Sequence, residues 1–427
     1  MNTTIEKITA REIIDSRGNP TIEVEVRLKS GIRARAASPS GASTGIHEAV
    51  ELRDGTADRY NGKGVLKAVH FANHDLGPKL VGMAAEEQAA IDSAMIDLDG
   101  TANKGKFGAN TTLAISMAVA RAAASAKQLS LWEYLGTPGE AVMPVPMMNI
   151  LNGGVHANWQ GPDFQEYMIV PHGAPSFAES LRYGCEVYHS LKGILKKKGY
   201  STGVGDEGGF APTVASNREP LDLIMEAINE AGYSPGKEIS IALDPASSGF
   251  YSNGSYELKT EKKRLKSAEM VKYYRSVIDA YPVIVIEDGL AEDDWFGWKI
   301  LNQTIGNRIE LVGDDLFVTN VKRIQRGIDE DVANAVLIKL NQIGTVTETF
   351  AAVRLAKSHG WGSMVSHRSG ETVDSFIADF TVAMGTGHLK TGAPCRGERV
   401  EKYNQLLRIE EEMGSRARFA GRDAFVR

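Results

Sequence analysis

Val336-Leu337-Ile338-Lys339-Leu340 is the most apolar strand-like run in this chain, and it carries a lysine near its end. Surface lysines do not need such flanks, so the run reads as a buried strand with Lys339 where the strand gives out. The same form recurs on both sides. Residues 239–243 lead into Asp244, 283–287 end on Glu287 before Asp288, and 310–313 precede Asp314-Asp315. Further on, 363–366 precede His367-Arg368-Ser369, and 388–391 contain Lys390. Upstream, 142–151, 164–170 and 202–206 complete the set, with Gln165-Glu166 beside the second run and Asp206-Glu207 closing the third.

Amphipathic helical patterns separate most of these runs, at 176–198, 219–231, 267–280, 346–357 and 374–385. Strands alternating with helices over so long a stretch imply a parallel sheet, either open or closed into a barrel. No Gly-x-Gly-x-x-Gly follows an early strand, and no Gly-x4-Gly-Lys-Ser/Thr occurs anywhere, so the usual phosphate loops of open sheets are not in place. Polar and ionisable residues instead close one strand after another, as they do at the active face of a barrel. No helix lies between the first two runs, so the expected barrel begins irregularly.

Before the barrel, Ile22, Val24, Val26 and Leu28 alternate with polar residues and follow the turn-rich Asp15-Ser16-Arg17-Gly18-Asn19-Pro20. Helical patterns follow at 84–97 and 110–128. This predicts a small α+β domain, and Leu135-Gly136-Thr137-Pro138-Gly139-Glu140 reads as its linker. The expected domains are 1–136 and 141–427.

A net charge of −6 over 427 residues argues against a nucleic-acid or anionic-membrane surface. Cys185 and Cys395 form no metal-type pair, and two distant thiols are expected to stay reduced. With neither a signal pattern at Met1–Glu6 nor a bilayer-length apolar run, the expectation is cytoplasmic, with no membrane partner.

Single carboxylates at strand ends often cap helices. Capping does not explain acids on several neighbouring strands followed by bases on the next. Asp244, Glu287 and Asp314 on consecutive strands would repel one another unless a hard cation lay between them, and oxygen ligands suit Mg²⁺. Arg368 suits a bidentate phosphate or carboxylate contact. A lysine beside a divalent cation loses proton affinity, so Lys339 is a candidate base, and Glu207, before Gly208-Gly209, a candidate acid. Pro39-Ser40-Gly41-Ala42-Ser43-Thr44-Gly45 suits a closing flap, and Asn152-Gly153-Gly154-Val155-His156 a second mobile loop. Lys196-Lys197-Lys198-Gly199 reads as a helix end, Glu410-Glu411-Glu412 as a solvated face, and Trp295 and Trp298 as packing anchors.

The stretches Val336–Thr345, Ser40–Gly45, Val204–Pro212 and Ser366–Thr372 together resemble the enolase family, in order and over essentially the whole chain. The resemblance implies a small α+β domain before an irregular eight-stranded ββαα(βα)6 barrel. It implies reversible dehydration of 2-phosphoglycerate to phosphoenolpyruvate in glycolysis and gluconeogenesis, with a lysine base and a Mg²⁺-stabilised enediolate, chemistry known for that superfamily. By position, Asp244, Glu287 and Asp314 would hold the tighter Mg²⁺, and Ser43 a second that arrives with substrate. Lys339 would take the C2 proton, and Glu207, assisted by Glu166, would protonate the leaving hydroxyl. His156, Gln165, His367, Arg368, Ser369 and Lys390 would contact the phosphorylated small-molecule substrate. Members of the family are dimers or octamers, so a homo-oligomer is expected.

Two places depart from the family pattern. Gly249 stands where Glu is usual, and the loop after His156, which normally continues with a small residue and Asn, reads Ala157-Asn158 and then Trp159-Gln160-Gly161. They motivate a second reading, an enolase-like enzyme of specialised metabolism acting on a related phosphonate or phosphate. A third is a non-catalytic scaffold with the same fold. A racemase or cycloisomerase would usually carry a Lys-x-Lys base on an early strand, and none of the strand-like runs has one.

Overall fold

Turn chemistry starts the chain's first element pair. In the computed structural model, which describes residues 1–41 and 45–425, Asp15 N–H donates to the Asn19 carbonyl and Gly18 takes φ +75°. This joins β1 (Ile5–Ile14) to the antiparallel β2 (Pro20–Leu28), and β3 (Arg33–Ala37) pairs with β2's other edge. Ile22, Val24, Val26 and Leu28 are fully buried on one face, as the alternation requires.

Against that face lies the helix Ala109–Lys127, preceded by the helix Gln88–Asp99. Ala109–Lys127 is buried nearly all round because its other side meets the helices Leu340–Ile343 and Val346–Ser358. Its many alanines permit that double approach, since they present no bulk on either side.

The rest of the chain forms a closed eight-stranded barrel. In chain order its strands begin with β4 (Val145–Asn152), β5 (Glu166–Val170) and β6 (Ser240–Asp244). After a small antiparallel sheet of β7 (Tyr251–Ser252), β8 (Ser255–Leu258) and β9 (Lys263–Leu265) come β10 (Val283–Glu287) and β11 (Glu310–Gly313). The last three are β12 (Ala335–Ile338), β13 (Gly362–Ser366) and β14 (Gly387–Lys390). Around the barrel the order is β4-β5-β6-β10-β11-β12-β13-β14, closing on β4. Met147, Met168, Val285, Val312, Leu337 and Met364 fill the interior, and Phe425 packs with them.

Two expectations need correction. Residues 202–206 form no strand: Val204 makes only an isolated bridge to Phe210. Gly203, Gly205, Gly208 and Gly209 deprive the segment of strand-forming side chains, and Gly208 turns at φ +86° with its N–H on the Gly205 carbonyl. The helices Phe177–Lys197 and Glu219–Glu230 therefore both fall between β5 and β6. The barrel sheet is also not wholly parallel, because β5 runs antiparallel to both neighbours. With no helix after β4, the chain returns directly and must enter β5 from the opposite end.

Candidate active site

Reversal of β5 puts its first residue, not its last, at the mouth where the other strands end. Glu166 accordingly pairs across the ladder with Asp244, the last residue of β6. Asp244, Glu287 and Asp314 come from β6, β10 and the residue after β11, which are neighbours in the barrel order. On the far side stand Lys339 after β12, His367-Arg368-Ser369 after β13, and Lys390 ending β14.

These strand ends enclose a cleft of about 410 Å³ lined by His156, Gln165, Glu166, Glu207, Asp244, Asp314, Lys339, His367, Arg368, Ser369 and Lys390, with Asp288 and Asp315. Glu287 does not line it directly but lies fully buried behind Lys390. Asp206 faces a neighbouring cleft. Ser43 lies outside the described residues, as does the middle of the expected flap.

Lys390 Nζ sits among three carboxylates, 2.8 Å from Glu287, 3.0 Å from Asp244 and 3.2 Å from Glu166. Burial opposes its charge, yet those carboxylates hold its pKa well above the ordinary lysine value. Lys339 Nζ donates to Asp314 Oδ2, and Gln342 Nε2 donates to Asp314 Oδ1 at 2.8 Å. Burial disfavours the Lys339 ammonium, but Asp314 outweighs it, so Lys339 is protonated in this structure. The expected neutral base therefore requires a change in the charge around Asp314.

Carboxylates outnumber cations here. Glu166, Glu207, Asp244, Glu287, Asp288, Asp314 and Asp315 stand against Lys339, Arg368 and Lys390, the cations that line the cleft among the described residues. Burial, then Asp244, pushes Glu287 well above the usual carboxylate range, and burial, then Asp314, does the same to Asp315. A hard divalent cation would relieve that excess, and the all-oxygen donor set fits one. Ligand atoms of Asp288, Asp314 and Asp315 lie within 4.8 Å of one another, as do those of His156, Glu166 and Glu207. Asp288 is already engaged as a brace, because its two oxygens accept the backbone N–H groups of Asp314 and Asp315.

Glu207 lies on the opposite wall, 3.4 Å from His367 Nε2 and 3.8 Å from His156 Nε2, with Asn149 Nδ2 donating at 3.1 Å. Arg399 donates to His367 Nδ1, which forces that nitrogen to accept and leaves the proton on Nε2. Burial lowers the His367 pKa to about 3, so the ring is neutral. A neutral ring cannot draw Glu207 down by full charge. Against its burial, His367 at 3.4 Å, then His156 and Arg399, hold Glu207 well below the usual range. Burial and the Glu207 charge push Glu166 well above that range, so the proton of this pair resides on Glu166. His367 Nε2 and Glu166 Oε2 are buried without a completed hydrogen bond, as are Asn149 Oδ1 and Asn152 Oδ1. Such orphaned atoms point to a bound partner.

Arg368 is fully buried and grips Glu48 through both terminal nitrogens, at 3.0 and 3.2 Å, and Asn341 at 2.9 Å. Glu48, Gln342, Asn149 and Arg399 escaped the sequence reading, which placed Asp288 beside Glu287 at a strand end without giving it a role. Gln342 sat in the quoted 336–345 stretch and could have been found there. The others carry no local signal, because only the fold brings them to the mouth.

A family model described as "Enolase, N-terminal domain" matches residues 5–135, and one described as "Enolase, C-terminal TIM barrel domain" matches 140–427. The chain is 67% identical over 425 residues to a protein of Methanospirillum hungatei named Enolase 2, covering 100% of this chain and 99% of that one. It is 66% identical over 427 residues to Enolase 2 of Pseudomonas syringae pv. syringae, covering both chains completely. Enolase 1 of Methanospirillum hungatei is 65% identical over 423 residues, with 99% of each chain covered.

Proposed function

The chain belongs to the enolase family, and we propose that it carries out that family's reaction, reversible dehydration of 2-phosphoglycerate to phosphoenolpyruvate, as a phosphopyruvate hydratase. The observation that carries this is the placement of Lys339 and Glu166. In the order β12-β13-β14-β4-β5 they are four strands apart in a barrel of eight, hence diametrically opposed. A proton taken from one face of a substrate and a hydroxyl released from the other require a base and an acid on facing walls.

In this mechanism Lys339 takes the C2 proton. Glu207, resupplied with a proton by Glu166, protonates the departing C3 hydroxyl. Arg368 and Ser369 hold the phosphate, with the Arg368 fork exchanging Glu48 for phosphate oxygens. His156, Gln165, His367 and Lys390 orient the remainder of the substrate. Asp244, Glu287 and Asp314 would hold the divalent cation. When bound, it takes up negative charge developing on the substrate carboxylate and offsets the Asp314 charge that keeps Lys339 protonated.

Finer assignments belong to the same reading. The cation would be Mg²⁺, two per site, the second arriving with substrate, with Ser43 among the residues that would hold it. The enzyme works in glycolysis and gluconeogenesis, in the cytoplasm, as a homo-oligomer, dimeric or octameric, and its two domains divide between residues 136 and 141. Full-length identity to proteins named enolase favours this over a phosphonate-specific enzyme or an inert scaffold. Among the described residues no helix is long and apolar enough to cross a membrane.

Purified protein given Mg²⁺ and 2-phosphoglycerate should develop the ultraviolet absorbance of an enol phosphate, and EDTA should abolish it. Turnover only of a phosphonate analogue would replace the substrate, and no turnover of either would remove the reading.

A further inference from the structure

The two departures from the family pattern meet in space. A Cβ placed on Gly249 would stand 3.2 Å from Cη2 and 3.4 Å from Cζ2 of Trp159, so the indole rests against the bare glycine backbone. Lys259 Nζ lies 5.6 Å from the centroid of the same ring. Gly249 follows β6, and Lys259 follows β8 in the small antiparallel sheet, so both sides of the seat come from the insertion between β6 and β10.

Trp159 belongs to the loop that carries His156. Asn158 and Trp159 both adopt left-handed conformations, φ +50° and +56°; asparagine takes one readily, but a residue as bulky as Trp159 sustains it only where its surroundings hold it. Most of the loop's other bonds are internal, such as Trp159 N–H to the Gly154 carbonyl at 2.8 Å and Ala157 N–H to that of Gly153. At its far end Thr260 Oγ1 donates to the Gly161 carbonyl at 3.1 Å. His156 itself touches Asn152 at 3.2 Å and reaches Glu207 only at 3.8 Å, contacts too few to fix the loop.

We propose that Trp159, seated on Gly249 and capped by Lys259, is a positioning residue that holds the 153–161 loop and so sets His156 over Glu207. Glutamate at position 249 would occupy the space the indole takes, so Trp159 and Gly249 are one feature. Trp159 remains 42% exposed, which frees it from a role in the core. The consequence for turnover rests on the proposed contact of His156 with substrate.

Hydrogen exchange of the 153–161 amides tests the seat without substrate. Trp159→Ala and Gly249→Glu should each speed exchange there several-fold, with the barrel strands unchanged. In turnover, each variant should raise KM for 2-phosphoglycerate about fivefold while kcat stays within about twofold, and Trp159→Phe should recover most of the loss. The double variant should be no worse than either single one, since one interaction can be lost only once. Unchanged exchange in Trp159→Ala, or fully multiplicative effects in the double variant, would overturn the proposal. Unaltered KM beside faster exchange would likewise remove His156 positioning. Inactive wild-type protein would count against the proposed reaction alone, while exchange would still decide the seat.

Discussion

Glu166 and Asp244 stand directly opposite each other across the antiparallel rung between β5 and β6, with the Lys390 ammonium within 3.2 Å of both. That rung exists only because β5 runs against the barrel. Parallel, the strand would have carried Glu166 to the opposite end, far from the other acids. The catalytic reading thus depends on one reversed strand, and its consequences can be tested residue by residue.

Removing the base should separate the two half-reactions. Lys339→Ala is expected to abolish exchange of the C2 proton with solvent, a loss of at least about a thousandfold. Glu207→Gln should slow dehydration comparably while leaving measurable exchange. Deuterium incorporation followed by NMR distinguishes them, and normal exchange in the lysine variant would refute the base assignment.

Metal binding should stabilise the fold by relieving the crowded carboxylates. At a hundredfold excess over its Kd, one cation adds about 2.7 kcal/mol. Thermal unfolding should therefore shift upward with Mg²⁺ and return with EDTA. Asp244→Asn should blunt the shift, whereas a full response in that variant would take Asp244 out of the ligand set.

Acid should destabilise the protein partly through His172, far from the cleft. Its Nε2 meets Ser240 Oγ at 2.8 Å, and burial, aided by Arg422, lowers its pKa to about 4. A histidine depressed in the folded state is neutral there while the unfolded chain takes up the proton. Its contribution is complete above about pH 6.5 and is lost as pH falls towards about 4. Urea midpoints at pH 7 and pH 5 should converge in His172→Gln relative to wild type, and an identical pH slope would count against this.

Close backbone packing around Glu207 should make Gly209 intolerant of even a methyl group. An added Cβ would lie 2.1 Å from Asn152 Oδ1 and 3.0 Å from the Asn149 carbonyl, and these two residues touch His156 and Glu207. Gly209→Ala is expected to cut kcat by roughly tenfold or more, at a stability cost of about 1–3 kcal/mol. Steady-state rates beside circular dichroism would show whether activity falls while the fold persists.

How much was legible in advance varied with how local the signal was. Ile22, Val24, Val26 and Leu28 declared their buried face because alternation is a property of neighbours along the chain. Lys339 declared through its apolar flanks that it is no surface lysine, and its side chain is mostly enclosed. Thr202–Asp206 misled because a short apolar-polar run looks like a strand until the cost of its glycines is weighed. Glu48 on Arg368 and Arg399 on His367 gave no warning, for each pair is separated by at least 32 positions.

Composition and spacing by themselves determined that acids and bases would close successive strands, since a residue's place along a strand follows from the local pattern. They also determined the small leading domain and its Ala-rich helical run. Only the tertiary structure decided which end of β5 faces the mouth, which carboxylates share Lys390, and that Trp159 rests on Gly249. Those outcomes depend on strand direction and on contacts between distant segments, and a linear pattern carries neither until the barrel has closed.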